Sequence, residues 1–144
     1  MGNTSLVAQV GPQTNTIIVS YTIPNSAASG TVCQGSISAF GPLVGATNPV
    51  VVPSTDVWVL DDMWVVGGPA YVDAQVMTIL NGIPQNFYPT LSSMNLNLLT
   101  RYKLSQKIPI YANYTFASSI TTLAAGPSTG GTQTLVYQVQ RGPA

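Results

Sequence analysis

Short runs in which apolar and polar residues alternate dominate the chain. In residues 17–23 the odd positions are apolar and most even positions are polar, and the same alternation returns at Leu135, Tyr137 and Val139. The longest such run is 108–122, in which most even positions are apolar. A period of two places one face of a β-strand on a core and the other in solvent. Each run therefore predicts a half-buried strand, and the run 108–122 predicts one continuous strand.

Glycine and proline separate these runs. Further strands are predicted at 31–40, 50–52, 57–66 and 74–80, and the chain holds 13 glycines and 11 prolines that punctuate them. Asn81-Gly82 after the last of these predicts a two-residue hairpin turn, and Pro84 places the returning strand at an edge or in a loop. About eight short antiparallel strands are typical of an all-β sandwich or barrel.

The length of the chain fits one domain. A chain of 144 residues buries enough surface for a single core, so residues 1–144 are predicted to form one domain. No apolar run approaches the roughly 20 residues of a membrane-spanning helix. The first residues carry neither a basic nor an apolar segment of a signal peptide, which predicts synthesis in the cytoplasm.

Charged residues are scarce. There is no Glu and no His, and four acidic and four basic side chains make up 6% of the chain, against about 25% in an ordinary soluble domain. Nine Asn and nine Gln, with Ser and Thr, supply the polar surface instead. Such a surface is buried against another protein without the desolvation of ions. The composition therefore favours a subunit of an assembly.

The missing residue types exclude the common catalytic chemistries. Without His or Glu, the usual triads and zinc hydrolase sites cannot form. Cys33 is the only cysteine, which rules out an intramolecular disulfide and predicts a small buried side chain. Asp61 and Asp62 are adjacent, and on a continuous strand they point to opposite faces. We therefore predict no catalytic residue, no metal site, no cofactor and no enzymatic activity. No basic tail is present, so no direct binding of nucleic acid is expected.

The few charges are segregated along the chain. The acidic residues all lie between positions 56 and 73, and three of the four basic residues lie within seven positions of one another. We hypothesise that the two segments meet, either within the domain or across a head-to-tail contact between subunits. The alternative is a solvated rim. The residues concerned are Asp56, Asp61, Asp62, Asp73, Arg101, Lys103 and Lys107.

Two further patterns are candidates for surface chemistry. Asn3 and Asn113 begin Asn-X-Ser/Thr sequons and are candidate glycosylation sites. Trp58 and Trp64, with the tyrosines, are a candidate carbohydrate platform, but packing in the core is the favoured interpretation. These aromatic residues carry the alternative function, a carbohydrate-binding or adhesin-like β-sandwich module on a cell surface.

Several segments, taken in order, are similar to a family of viral coat proteins. They are Asp-Val-Trp-Val-Leu-Asp-Asp-Met-Trp-Val-Val at 56–66, Asp-Ala-Gln-Val at 73–76, Asn-Gly-Ile-Pro-Gln at 81–85, the long run after Lys107 and the terminal run 133–141. Together they resemble the jelly-roll capsid proteins of tailless icosahedral viruses, the lineage of adenovirus and membrane-containing phages, and most of all those of viruses of thermophilic archaea.

The resemblance implies a fold and a role. The fold is a single jelly-roll β-sandwich of two four-stranded antiparallel sheets. The role is that of a capsid subunit in the virion, which assembles into pseudo-hexagonal capsomers of a shell that often stands over an internal membrane. Its partners are copies of itself and other capsid proteins. The better-known members carry two jelly rolls in one chain, so this chain is expected to oligomerise or to pair with a second coat protein.

Overall fold

The computed structural model describes residues 13–39, 49–67, 73–87, 89–91 and 102–144. These residues form nine strands and contain no helix, and therefore no helix long and apolar enough to cross a membrane. The strands are β1 (Gln13–Ile23), β2 (Val32–Ala39), β3 (Val50–Val51), β4 (Asp56–Gly67), β5 (Ala74–Leu80), β6 (Ile83–Pro84), β7 (Tyr102–Ile110), β8 (Thr115–Thr122) and β9 (Gly131–Pro143).

The strands form one curled antiparallel sheet that folds over into a sandwich. The first layer, sheet A, has the order β1-β9-β4-β7, and the second, sheet B, has the order β2-β8-β5-β6. The short β3 pairs with β8. In each layer, strands that are distant in the sequence are neighbours: β9 lies between β1 and β4, and β8 lies between β2 and β5. This is the strand order of a jelly roll built from two Greek keys. The predicted all-β, single jelly-roll fold is confirmed.

Strand β2 joins the two layers. Its first residues pair with β8, Val32 opposite Thr121, whereas its later residues pair with β1, Tyr21 opposite Gly35. The change of partner takes place at Gly35. A Cβ atom there would lie 2.2 Å from Cγ1 of Val19 and 3.0 Å from the carbonyl oxygen of Ser118. Glycine is therefore required at this corner, because the backbone passes against both layers.

The core lies between the two sheets and is almost wholly apolar. Its largest buried side chains are Trp58, Tyr21, Tyr137 and Phe116. The rings of Phe116 and Tyr137 meet edge to face, with centroids 5.1 Å apart, which is a favourable aromatic geometry. Cys33 is buried, as the sequence predicts.

One polar network crosses this core. The hydroxyl groups of Tyr21 and Tyr137, from sheet A, each form a hydrogen bond with Oγ of Ser118 in sheet B, the second at 2.8 Å. Oγ1 of Thr78, also in sheet B, lies 3.0 Å from the Tyr137 hydroxyl. Burial raises the pKa of both tyrosines above its ordinary value. The network fixes the position of one sheet relative to the other.

The predicted hairpin after β5 is confirmed. Asn81 and Gly82 both have positive φ, 52° and 81°, and Leu80 pairs with Ile83 across the turn. Both residues tolerate that conformation, which a two-residue turn requires. Pro84 lies in β6, the edge strand of sheet B, where its missing N–H removes no hydrogen bond from a central ladder.

The expectation of one strand over 108–122 is wrong. The chain turns at 111–114, where the N–H of Tyr114 donates to the carbonyl oxygen of Tyr111 and Asn113 has φ 70°. Residues before the turn belong to β7 in sheet A, and residues after it belong to β8 in sheet B. Ile110 and Phe116 both face the core, so the alternation continues through a turn that takes the chain from one layer to the other.

Candidate functional site

The adjacent acids Asp61 and Asp62 lie at a β-bulge in β4. Along β9, Leu60 is opposite Val139 and Asp62 is opposite Gln138, so Asp61 is an extra residue. Leu60 and Met63 are both fully buried, and the two residues between them leave the core side of the strand. The expectation that the two carboxylates point to opposite faces is therefore wrong, because a bulge shifts the side-chain alternation by one position.

The acidic and basic segments become neighbouring strands. Asp62 on β4 is directly opposite Lys103 on β7, and Asp62 is buried whereas Lys103 is exposed. Lys107 is also exposed and lies further along β7. The two segments thus meet within the domain, and a role for these charges between subunits stays a prediction. Arg101 and Asn3 lie outside the described residues.

Asp56 lies at the start of β4 and contacts the last strand. Its Oδ2 is 3.9 Å from Nε of Arg141 and accepts a hydrogen bond from Nε1 of Trp58 at 3.2 Å. Its Oδ1 accepts one from Oγ1 of Thr55 at 3.1 Å. Sequence reasoning missed the partner Arg141, because only the pairing of β4 with β9 brings these distant residues together.

The remaining predicted site residues lie elsewhere. Asp73 precedes β5, and its Oδ1 accepts a hydrogen bond from the N–H of Ala74 at 3.0 Å. Its backbone oxygen accepts another from Leu123 at 2.9 Å, so Asp73 fixes the start of a strand in sheet B. Asn113 is exposed in the turn between β7 and β8, and its use as a glycosylation site stays a prediction.

The two tryptophans have different environments. Trp58 is in the core and only 2% exposed, as the sequence predicts. Trp64 lies half-buried on the outer side of sheet A, opposite Val136, which is in turn opposite Ile18. The expectation that Trp64 packs in the core is therefore wrong. The bulge at Asp61 is the reason, because it reverses the alternation between the two tryptophans.

The outer face of sheet B is an extended uncharged surface in the described part of the chain. The side chains of this face alternate along the chain with the core side chains of β5, β8 and the first half of β2. None of the described side chains on this face is charged. The described residues of this face are Val32, Gln34, Val51, Gln75, Met77, Ile79, Thr115, Ala117, Ser119 and Thr121.

The rows of this face run across the strands in register. Gln34, Ser119 and Met77 form one row, and Val32, Thr121 and Gln75 form the next. Ser119 is only 4% exposed although it points away from the core, because longer side chains flank it on both strands. Val32 and Val51, in contrast, are more than half exposed. The face is thus a close-set layer of apolar, hydroxyl and amide groups.

A groove opens where the edges of the two sheets meet. Its volume is about 230 Å³, and it lies between the segment after β6 and strand β7. The floor is apolar and packs on the core through Phe87, Tyr102, Leu104 and Ile108. The rings of Phe87 and Tyr102 are nearly parallel, with centroids 6.1 Å apart.

The rim of the groove is polar and uncharged. Among the described residues, it consists of three side-chain amides and one hydroxyl, those of Gln85, Asn86, Gln106 and Ser105. Strand β7 departs here from its neighbour. Lys103 is opposite Asp62 and Ile108 is opposite Leu60. Between these two pairs β7 has four residues, 104–107, whereas β4 has only Asp61. The departure of β7 from the ladder forms one wall of the groove.

The described residues contain no group of three or more Asp or Cys side chains placed to hold a metal ion. No profile of a known protein family matches the chain, and a search of curated protein sequences finds no match for it. Its function therefore has to be inferred from the geometry above.

Proposed function

We propose that this protein is a structural virion protein, a capsid subunit that assembles with itself or with a second coat protein into capsomers of an icosahedral shell. The observation that carries the proposal is the uncharged outer face of sheet B. The jelly-roll order of the strands, a fold that capsid proteins share with lectins and cupins, is compatible with it. Other capsid proteins of the virion are the further partners.

The composition of the face favours contact with protein over contact with water. Burial of an ion in an interface costs several kcal/mol unless it is well paired, and the described side chains of this face would bury none. The formal net charge of the chain is zero, so copies do not repel one another strongly at long range. These two features remove the usual electrostatic barriers to self-association.

The size of the face is sufficient for part of an interface. Strands β5, β6 and β8 have 7, 2 and 8 residues, and only the first residues of β2, from Val32 to Gln34, pair with β8. With about 3.3 Å per residue and about 4.8 Å between strands, these segments cover roughly 300 Å² before side-chain relief is counted. A stable interface buries on the order of 800 Å² per partner. The face therefore supplies part of one such contact, and other surfaces of the subunit have to supply the rest.

A charge placed on this face tests the proposal. Thr121→Glu introduces a carboxylate on β8, a central strand of the face, opposite Val32 and Gln75. Thr134→Glu is the matched control, because Thr134 lies on the outer side of sheet A opposite Ser20. Electron microscopy and sedimentation velocity are the measurements. We expect the unaltered protein to form rings, sheets or shells, and Thr121→Glu to raise the concentration needed for assembly at least about tenfold.

Two outcomes contradict the proposal. One is a monodisperse monomer at high concentration for the unaltered protein, and the other is an equal effect of Thr121→Glu and Thr134→Glu. A stable monomer that binds members of a glycan array would favour the alternative function, a carbohydrate-binding or adhesin-like module on a cell surface.

A further inference from the structure

We propose that the groove between Gln85 and Gln106 is a binding site for a neutral sugar, a hexopyranose at the end of a glycan. The inference goes beyond assembly and does not depend on it, because the groove lies at the edge of the sandwich and shares no residue with the outer face of sheet B. It rests on the floor, the rim and the size of the groove.

The floor offers a ring-shaped apolar surface. Phe87 and Tyr102 lie nearly parallel with centroids 6.1 Å apart, and offset rings leave parts of their faces uncovered. Both side chains are half-buried and pack on the core, so the aromatic surface is held in place before any ligand arrives. A pyranose presents a patch of C–H groups on one side of its ring, which matches such a surface in polarity and in shape.

The rim matches the hydroxyl groups of a sugar. Each side-chain amide of Gln85, Asn86 and Gln106 has a carbonyl acceptor and an NH₂ donor side by side, and neighbouring sugar hydroxyls both donate and accept. A hydrogen bond within the protein orients the side-chain amide of Gln85, since its Nε2 donates to the carbonyl oxygen of Ile83 at 3.0 Å. Asn86, Ser105 and Gln106 are exposed.

Charge and volume narrow the class of ligand. None of the described residues that line the groove is charged, which favours a neutral ligand over an acidic or basic one. A volume of about 230 Å³ is below the roughly 300 Å³ at which pockets for drug-sized molecules begin, so one sugar ring is the expected occupant. An extended peptide needs a longer groove and offers only one donor and one acceptor per residue.

Saturation-transfer NMR tests the site, because it reports ligand contact whether the protein is monomeric or assembled. The probes are the methyl pyranosides of glucose, galactose and mannose, N-acetylneuraminic acid as an anionic sugar, and a capped Arg-Gly-Pro-Ala peptide with the sequence of residues 141–144. We expect transfer to at least one neutral pyranoside, with a dissociation constant in the millimolar range, and none to the other two probes.

Three variants locate the binding. Gln106→Ala removes an exposed rim amide, and Phe87→Leu removes a ring but keeps an apolar side chain against the core. Each is expected to weaken sugar binding by at least about tenfold, the loss expected for about 1.4 kcal/mol of contact. Gln140→Ala, on β9 and away from the groove, is the matched control and should bind as the unaltered protein does. If Phe87→Leu fails to fold, Gln106→Ala alone carries the test, since its side chain is exposed.

The result that would overturn the inference is transfer to no neutral pyranoside, or transfer that Gln106→Ala leaves unchanged. Transfer only to the anionic sugar or only to the peptide would overturn it as well. Assembly is followed in the same samples by light scattering. In the unaltered protein, absence of sugar binding with intact assembly counts against the groove alone, and absence of assembly with intact sugar binding counts against the proposed function alone.

Discussion

The two layers of the sandwich have similar inner faces and different outer sides. Both inner faces are largely apolar, and they share the hydroxyl network of Tyr21, Ser118, Tyr137 and Thr78. Among the described residues, all charged side chains except that of Asp73 lie on strands of sheet A, whereas the outer face of sheet B has none. Within the described part of the chain, the charged side chains are therefore distributed unevenly between the two sheets.

This difference distinguishes what the fold requires of each sheet from what contact with another molecule would require. A sandwich needs only its inner faces to be apolar, and either outer side can carry ions at no cost to the fold. Sheet A carries ions on its outer side, among them the half-buried Asp61 on β4 and the exposed Lys103 on β7. Because sheet B has the same freedom and its described outer side chains include no ion, contact with another molecule is the physical explanation we favour.

The largest effect is expected at the corner that joins the two sheets. Gly35→Ala places a Cβ 2.2 Å from Val19 and 3.0 Å from the backbone of Ser118, so the layers have to separate, and we expect a loss of about 3 kcal/mol or more in the free energy of unfolding. Gly30→Ala is the control. Gly30 has φ 86° but open space around it, and a loss of about 1 kcal/mol is expected. Urea denaturation measures both, and equal losses would contradict the steric role of Gly35.

Alkaline pH is expected to loosen the contact between the inner faces. Burial raises the pKa of Tyr21 and Tyr137, so above about pH 10 the unfolded chain loses protons that the folded chain retains. The unfolded state then binds fewer protons, and the stability falls as pH rises, by up to about 1.4 kcal/mol per pH unit for each tyrosine. Below the ordinary tyrosine pKa the contribution is fully present.

Urea denaturation at a series of pH values measures this slope. Tyr137→Phe removes one of the two groups and should reduce the slope by about half. A stability that falls with the same slope in both proteins above about pH 10 would show that the buried tyrosines do not contribute.

Removal of one hydroxyl from the network should have a moderate effect. Ser118→Ala takes away the group that contacts both Tyr21 and Tyr137, and we expect a loss of about 2 kcal/mol, because buried hydroxyls are left with fewer partners. Ser36→Ala, an exposed serine on β2, should stay within about 0.5 kcal/mol. Thermal or urea unfolding compares the two. A loss of the same size in both variants would mean that the network does not hold the sheets together.

The smallest effect is expected on the charged side. Lys103→Glu places a like charge opposite Asp62 and should cost about 0.5 to 1 kcal/mol. Lys107→Glu lies where β7 has left the ladder and should cost less. Assembly of the double variant, measured by light scattering at low and high salt, tests whether these lysines also take part in contacts between subunits. An assembly and a salt response identical to those of the unaltered protein would remove that hypothesis.

The strands were predicted well where local sequence decides them. The predicted strand 74–80 coincides with β5, and the Asn81-Gly82 turn forms as expected, because alternation and turn conformation are properties of neighbouring residues. The candidate site was predicted less well. The groove residues Phe87 and Gln106 belong to segments far apart in the chain, and no local pattern indicates that two sheet edges meet there. The pairing of Asp56 with Arg141 was missed for the same reason.

The sequence by itself determined the fold class, the scarcity of ions and the absence of His-based and Glu-based chemistry, because these follow from residue types and from a period of two. Only the tertiary structure decided which side each residue faces after Asp61 and which layer each strand joins. The alternation continues unchanged through the turn at Asn113, and a bulge exists only in relation to the partner strand. Side-chain period is a local property, whereas register and layer depend on contacts between distant segments.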